Sequence, residues 1–207
     1  MGELQIEAIV PQEKGRAALH FENGMEVTLY KGEIRKFSLA EGACISGEQY
    51  QAILQETVGI RAKKRAMHLL EKMDRTEQQL YDKLKQNGYP DSCIEEAIAY
   101  VKRYGYVDDL RYARQYIRYH QSKKSRQRLM MDLMQKGVAK QLILQALEEE
   151  FDTDERKKIK ELLERRHYKE TGSDRKEQQR TFQFLMRRGF RSADILSVMK
   201  YTGTFDE

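Results

Sequence analysis

Cysteine is nearly absent. Cys44 and Cys93 are the only two in 207 residues, they form no CxxC pair, and no histidine stands at ligand spacing from either. This argues against a disulfide framework or a zinc site and suits a reducing cytosol. Proline is equally scarce, with two in all, so long helices are permitted. No run of 18 apolar residues occurs, which excludes a membrane-spanning helix. The opening MGELQIEAIVPQEKG has no basic stretch leading into an apolar one, so it does not read as a secretory signal. The expected location is cytoplasmic, with no membrane partner.

Enzyme signatures are missing as well. His20, His68, His120 and His167 lie far apart, with no carboxylate or thiol at metal or triad spacing. There is no glycine-rich phosphate loop ending in Lys-Ser/Thr, and no familiar nucleophile motif. Asp108-Asp109 and Asp152-Thr153-Asp154 resemble metal ligands, but each immediately precedes a predicted helix. A carboxylate there caps free N–H groups and meets the positive end of the helix dipole. The expectation is a protein that is not an enzyme, with no catalytic residue, metal or cofactor.

What is present is charge and helix-forming apolar spacing. Charged residues make up 34% of the chain and apolar ones 40%, with a mean hydropathy of −0.81. Such a balance, with ample Leu and Ile, points to narrow amphipathic helices with wide solvated faces. The net charge of +5 is unevenly distributed. Residues 1–58 hold five Lys/Arg and nine Asp/Glu, a net of −4, and the remainder carries +9. This step predicts a small acidic β-rich domain over 1–58 and a basic helical domain over 59–207.

In the acidic part Leu4, Ile6, Ala8 and Val10 alternate with more polar positions, as in a half-buried strand. Ala17, Leu19 and Phe21 repeat the pattern, then Met25, Val27 and Leu29. A two-residue Asn-Gly loop between the last two runs would throw their apolar sets onto opposite faces. The three-residue loop Glu22-Asn23-Gly24 instead pairs Phe21 with Met25, Leu19 with Val27 and Ala17 with Leu29, with Gly24 left-handed. Ile34, Phe37 and a helix capped at Ser46, carrying Tyr50, Ile53 and Leu54, are expected to cover the hairpin.

From Ile60 the apolar spacing changes to three and four, giving a first helix with Ala66, Met67, Leu70 and Met73. Thr76 with Gln79 forms a capping box for the next. One sentence then recurs. Gly88, Gly137 and Gly189 are separated by 49 and 52 residues. Leu84, Leu133 or Leu185 stands four before each, and Tyr89, Val138 or Phe190 immediately after. Ile94, Ile143 or Ile195 follows at six, and Ile98, Leu147 or Met199 at ten. Each copy reads as a helix, a tight glycine turn and a second helix, with a third helix linking to the next copy. The fold class is therefore mainly α: three tandem repeats at about 60–120, 121–170 and 171–207, forming an elongated array, after a small hairpin-containing segment. The last copy has no room for its linking helix before Glu207 and is expected to act as a cap.

A helix–turn–helix invites comparison with DNA-binding units, although a plain αα-hairpin uses the same glycine and spacing. Charge says more. Leu110 to Met131 contains no acid, against Arg111, Arg114, Arg118, Lys123, Lys124, Arg126 and Arg128. With Leu110, Ala113 and Ile117 buried, the first three arginines form a stripe about 100° around the helix, and Tyr112, Tyr116 and Tyr119 flank the other side. A second acid-free run, Gln178 to Ala193, holds Arg180, Arg187, Arg188 and Arg191. These residues are the candidate contacts for nucleic acid or an acidic protein groove, and a solvated helix face is the plainer alternative.

The stretch Gly105, Tyr106, Asp108, Asp109, Arg111, Tyr112, Ala113 resembles the signature of the bacterial RecX regulatory family. The triplicated unit around Gly88, Gly137 and Gly189 resembles it too, with Lys136-Gly137 in the second copy. Together these cover roughly residues 60–200. The β-rich front segment is similar to an extension that only some members carry. The resemblance implies a cytoplasmic protein, taken here as a monomer, that binds the RecA recombinase filament on single-stranded DNA and restrains ATP hydrolysis and strand exchange. Contact with single-stranded and duplex DNA is part of that expectation. A sequence-specific duplex-DNA binder such as a transcription factor, and an RNA-associated adaptor, are the alternatives the residues leave open.

Overall fold

Alternating apolar residues build the first layer, and one bulge resets them. A computed structural model describes residues 2–169 and 174–200. Strands β1 (Leu4–Pro11), β2 (Arg16–Phe21), β3 (Glu26–Tyr30) and the short β4 (Cys44–Ile45) form an antiparallel sheet in the order β3-β2-β1-β4. The β2–β3 hairpin has the expected loop. Leu19 faces Val27, Ala17 faces Leu29, and Gly24 takes a φ of 78°. β1 departs from the expected alternation. Its register with β2 shifts between Ile6 and Ala8, so Ile9 lies opposite Leu19 while Val10 is 47% exposed. A bulge reverses the facing of every residue beyond it, which a uniform period-two reading misses.

Helix α1 (Lys31–Lys36) follows β3, and α2 (Gly47–Ile53) begins at Ser46, whose hydroxyl accepts from the Gln49 N–H. Tyr50, Ile53 and Leu54 are buried with the sheet residues, and Tyr50 meets Phe21 edge-on at 5.5 Å. The chain does not break there. A wide turn (Leu54–Val58), in which the Gly59 N–H reaches back to the Leu54 carbonyl, leads directly into α3 (Gly59–Lys72). The charge step at residue 58 thus falls inside a continuous helical run. The compact units divide elsewhere, the first ending at Asp108 and the second beginning at Asp109.

The first unit has one core. Ile6, Leu19 and Phe21 of the sheet join Ala62 and Ala66 of α3, Leu84 of α4 (Glu77–Gln86) and Ile94 of α5 (Asp91–Arg103). Met73, expected on the inner stripe of α3, lies past the helix end and is 57% exposed; Leu69 is buried there instead. In the second unit α6 (Asp109–His120), α7 (Arg126–Gln135) and α8 (Lys140–Glu150) enclose Ile117, Leu129 and Ile143. Helices α9 (Glu155–Arg165), α10 (Arg175–Met186) and α11 (Ser192–Met199) enclose Ile159, Leu185 and Ile195.

The third helix of each copy therefore precedes its hairpin. It packs on the hairpin's second helix, α3 on α5, α6 on α8 and α9 on α11. Sequence reading made it a link to the following copy and left the last copy without one; α9 supplies it. The glycine anchors locate a hairpin but do not say on which side its partner lies.

All three turns close alike. Gly88, Gly137 and Gly189 have φ of 80°, 84° and 82°. The N–H of the following residue donates to the carbonyl of Leu84, Leu133 or Leu185. Those leucines are fully buried, and Val138 and Phe190 cover two of the turns at 4% and 2% exposure. Such an ending satisfies carbonyls that the helix leaves unpaired. Gly189 carries a further constraint. A Cβ there would lie 2.6 Å from Ser125 Oγ and 2.7 Å from Arg128 Cβ. The turn is seated on the start of α7: the Ser125 N–H donates to the Arg188 carbonyl at 2.9 Å, and Ser125 Oγ accepts from the Arg128 N–H. The second and third copies are joined through this backbone contact.

Gly88→Ala, where nothing lies within 4 Å of the added carbon, should cost about 1 kcal/mol for the left-handed backbone alone. Gly189→Ala should cost at least about 1 kcal/mol more, because Ser125 and the α7 backbone would have to retreat. Denaturant unfolding of the full chain checks this. Equal losses would mean that the turn can back away from Ser125 freely.

Candidate nucleic-acid and partner interface

Helix α6 turns Ala113 and Ile117 fully inward, which sets the three arginines to one side. Arg114 and Arg118 pair with carboxylates of α8. Arg114 Nε donates to Glu149 Oε2 at 2.5 Å, and Arg118 holds both carboxylate oxygens of Glu150 through Nε and Nη2. Hydrogen bonds from Arg114 and Gln145 keep the Glu149 carboxyl below the usual glutamate range, and the one from Arg118 does the same for Glu150. Arg111 is exposed. The stripe is thus partly a clamp between α6 and the end of α8. Glu148, Glu149 and Glu150 occupy the last turn of α8, where the helix dipole disfavours carboxylates. That acidic run is the sequence signal for the pairing, overlooked when the arginines are read alone. The tyrosines also separate: Tyr112 and Tyr116 pack against the core of the second copy, while Tyr119 is 74% exposed.

A buried carboxylate organises the next group. Asp132, 8% exposed, accepts from Lys124 Nζ at 2.6 Å and the Tyr116 hydroxyl at 3.1 Å, and pairs with Arg128 Nε at 2.9 Å. Burial pushes its pKa up, but the Lys124 and Tyr116 hydrogen bonds and the Arg128 charge outweigh this, and the carboxyl lies below the ordinary aspartate value. Lys124 and Arg128, candidate contacts in the sequence, are therefore spoken for by Asp132, which sequence reasoning did not single out. Lys123 and Arg126 are exposed and, among the described residues, pair with no carboxylate; Arg126 uses its backbone N–H to reach Glu155 at 2.8 Å.

The second acid-free run divides in the same way. Arg188 lies over the Phe184 ring at 3.5 Å and donates to the Phe184 carbonyl, and burial, with Arg187 and Arg166 nearby, lowers its pKa. Arg180, Arg187 and Arg191 are exposed. Arg128, Arg187 and Arg191 line a groove of about 540 Å³ with Met131, Met186 and Phe190, and among the described residues no carboxylate lines it.

The stretch Gly105–Ala113 is largely local architecture. Gly105 (φ 70°) ends α5, with the Tyr106 N–H returning to the Val101 carbonyl. Asp108 immediately precedes α6, Asp109 begins it, and Ala113 is buried within it. Asp154 Oδ1 caps α9 by accepting from the Lys157 N–H at 2.9 Å, and Asp152 Oδ1 accepts from the Asp154 N–H. Among the described residues no group of three or more His, Cys, Asp and Glu could hold a metal ion, and no helix is long and apolar enough to cross a membrane.

Three family models match successive helical triplets. They are the first three-helix domain of RecX at residues 62–100, the second at 108–147 and the third at 154–199. The chain belongs to the RecX family. Its relatives include the regulatory protein RecX of Clostridium perfringens (strain SM101 / Type A), 32% identical over 165 residues that cover 78% of this chain and 76% of the relative. That of Caldanaerobacter subterraneus subsp. tengcongensis is 31% identical over 166 residues, covering 79% and 82%. The fold is that of a crystal structure of regulatory protein RecX, with a TM-score of 0.59 at 24% identity, covering 95% of this chain and 98% of that one. RecX from Lactobacillus salivarius gives 0.54 at 22%, covering 69% and 95%. The helical triplets of RecX are the ones assembled here from helix packing.

Because the Asp132 carboxyl titrates lower in the folded chain, its contribution is fully present above the unfolded value of about 3.9 and is lost as pH falls through the folded value. At neutral pH Asp132→Asn should cost about 1–3 kcal/mol. The gap between variant and parent should close as the pH is taken below about 4. Unfolding free energies measured against pH check this, and parallel acid limbs would show that Asp132 is not the group titrating.

Proposed function

We propose that this chain regulates the RecA recombinase by binding its filament on single-stranded DNA, restraining ATP hydrolysis and strand exchange without catalysing a step of its own. Membership of RecX through all three helical domains carries the reading. The setting is the cytoplasm, the partners are the recombinase filament and DNA, and the acting form is a monomer. Supporting it, cations recur on more than one helical triplet, so that many modest contacts can add without any one being strong.

Within that reading the cations are not equivalent. Arg114, Arg118, Lys124 and Arg128 would have to share or release a carboxylate to take a phosphate. Lys123, Arg126, Arg187 and Arg191 have none to release among the described residues, and they are the preferred contacts. Arg111 lies exposed near the start of α6 as a further candidate from the second copy, and Arg188 supports Arg187 by holding the turn.

The test is RecA ATP hydrolysis on single-stranded DNA, with this chain added from well below one copy per recombinase up to parity. Inhibition should appear at substoichiometric levels and persist when free DNA is in excess. No inhibition at parity, or equal inhibition by an unrelated basic single-strand-binding protein, would reduce the chain to a DNA binder. In DNA binding alone, Arg126→Gln, Arg187→Gln and Arg191→Gln together should lower the log–log salt slope by about 1 for each phosphate no longer neutralised. Arg114→Gln with Arg118→Gln should change it less. The reverse ranking would return the contact surface to the α6 stripe.

A further inference from the structure

The end of α6 carries a cluster of aromatic rings and cations. The His120 imidazole packs 4.2 Å from the Tyr116 ring and 4.8 Å from the Tyr119 ring. Lys124 Nζ lies 5.3 Å and Lys136 Nζ 5.4 Å from the centre of the Tyr116 ring, and Lys123 Nζ lies 6.0 Å from that of Tyr119. Three places in the chain thus converge: the last turn of α6, the connection to α7 and the C-cap of α7. Among the described residues, the carboxylate acting on His120 is Asp132, which Lys124 and Arg128 already hold. The charges acting on His120 are three lysines against one aspartate, on an aromatic floor whose outer ring, Tyr119, faces solvent.

We propose that this cluster binds a backbone phosphate of a nucleic-acid strand, with Lys123 and Lys136 meeting the phosphodiester beside the Lys124–Asp132 pair and His120 taking up a proton from solvent as it arrives. In the free chain burial first, and then Lys124, Lys123 and Lys136 against Asp132, hold the imidazole below its ordinary value of 6.5, so it is neutral at neutral pH. An anion among the lysines cancels the repulsion that disfavours the imidazolium, and the histidine becomes a further cation. Linkage then requires binding to tighten as pH falls. The exposed Tyr119 ring offers a base a stacking surface beside the phosphate. This deepens the nucleic-acid contact of the proposed function. It is tested on DNA alone, so its failure leaves regulation of the recombinase standing.

The probe is labelled oligothymidylate, which has no group titrating near neutral pH, so any pH dependence belongs to the protein. Affinity of the full chain should rise several-fold from pH 7.5 to 5.5. His120→Gln should lose that rise, while His167→Gln keeps it. The His120 ring resonances, assigned by their absence in His120→Gln, should titrate higher when oligothymidylate is saturating. Lys123→Gln with Lys136→Gln should weaken binding and raise the His120 pKa in the free chain, which a purely structural role would not do. An unmoved His120 titration at saturation, or a full pH dependence in His120→Gln, overturns the site. Inorganic phosphate shifting His120 as far as oligothymidylate at equal phosphate concentration would make it a free-phosphate site and overturn the strand assignment.

Discussion

A helix that ends in a left-handed turn must supply a residue that tolerates positive φ and return the next N–H to a carbonyl of its last turn. This constraint, met at Gly88, Gly137 and Gly189, fixes the length of each first helix, the direction of the second and the place of the leucine in the first helix's last turn. The same ending closes α5 at Gly105. It also closes α9, where His167 takes a φ of 54° without the help of glycine, and the Tyr168 N–H returns to the Leu163 carbonyl. At Gly189 the constraint becomes one between copies. With no side chain in the way, its turn lies on Ser125 and lets that residue cap α7 and bind the Arg188 carbonyl at once. Repeat arrays gain stability from such neighbour contacts as well as from each copy's own core.

The first copy solves the same problem differently. Its three helices share a core with the sheet, Phe21 and Leu19 lying in one cluster with Leu84 and Ile94. The acidic front segment is therefore a packing partner of the first helical triplet. The continuous run from α2 through the wide turn into α3 ties the two covalently as well. A change of net charge along a sequence reports what faces solvent, and a core can run straight across it.

What was legible follows from range. The glycine columns and the hairpin loop involve residues within a few positions of each other, and both came out as read. The β1 bulge did not, since no residue type announces the extra position at Glu7. Partner identity across long separations did not either. Arg114 and Glu149 are 35 residues apart, and Arg118 and Glu150 are 32 apart, so the arginine row and the acidic run were each visible in the sequence and their pairing was not. His120 looked isolated because Asp132 and Lys136 reach it through α7. Lys136 follows it by a whole helix, although Tyr116 and Lys124 stand close enough in sequence to have drawn attention.

The family signature and the working surface are separate things in this chain. In the stretch from Gly105 to Ala113, Gly105 stops a helix, Val107 and Ala113 are buried, and Asp108 and Asp109 stand where the next helix starts. Those demands are met by local geometry whatever the partner is. Recognition has to come from side chains that the fold leaves available, and the ion pairs decide which these are. Desolvating a cation already held by a carboxylate forfeits one interaction to gain another, whereas an exposed cation with no such partner gives up only water. Among the described residues the cations of the second kind lie at Lys123 and Arg126 around the start of α7, and at Arg187 and Arg191 around the turn seated on Ser125. The contact that joins the second and third copies therefore also sets Arg187 and Arg191 beside one groove with Met131 of the second copy.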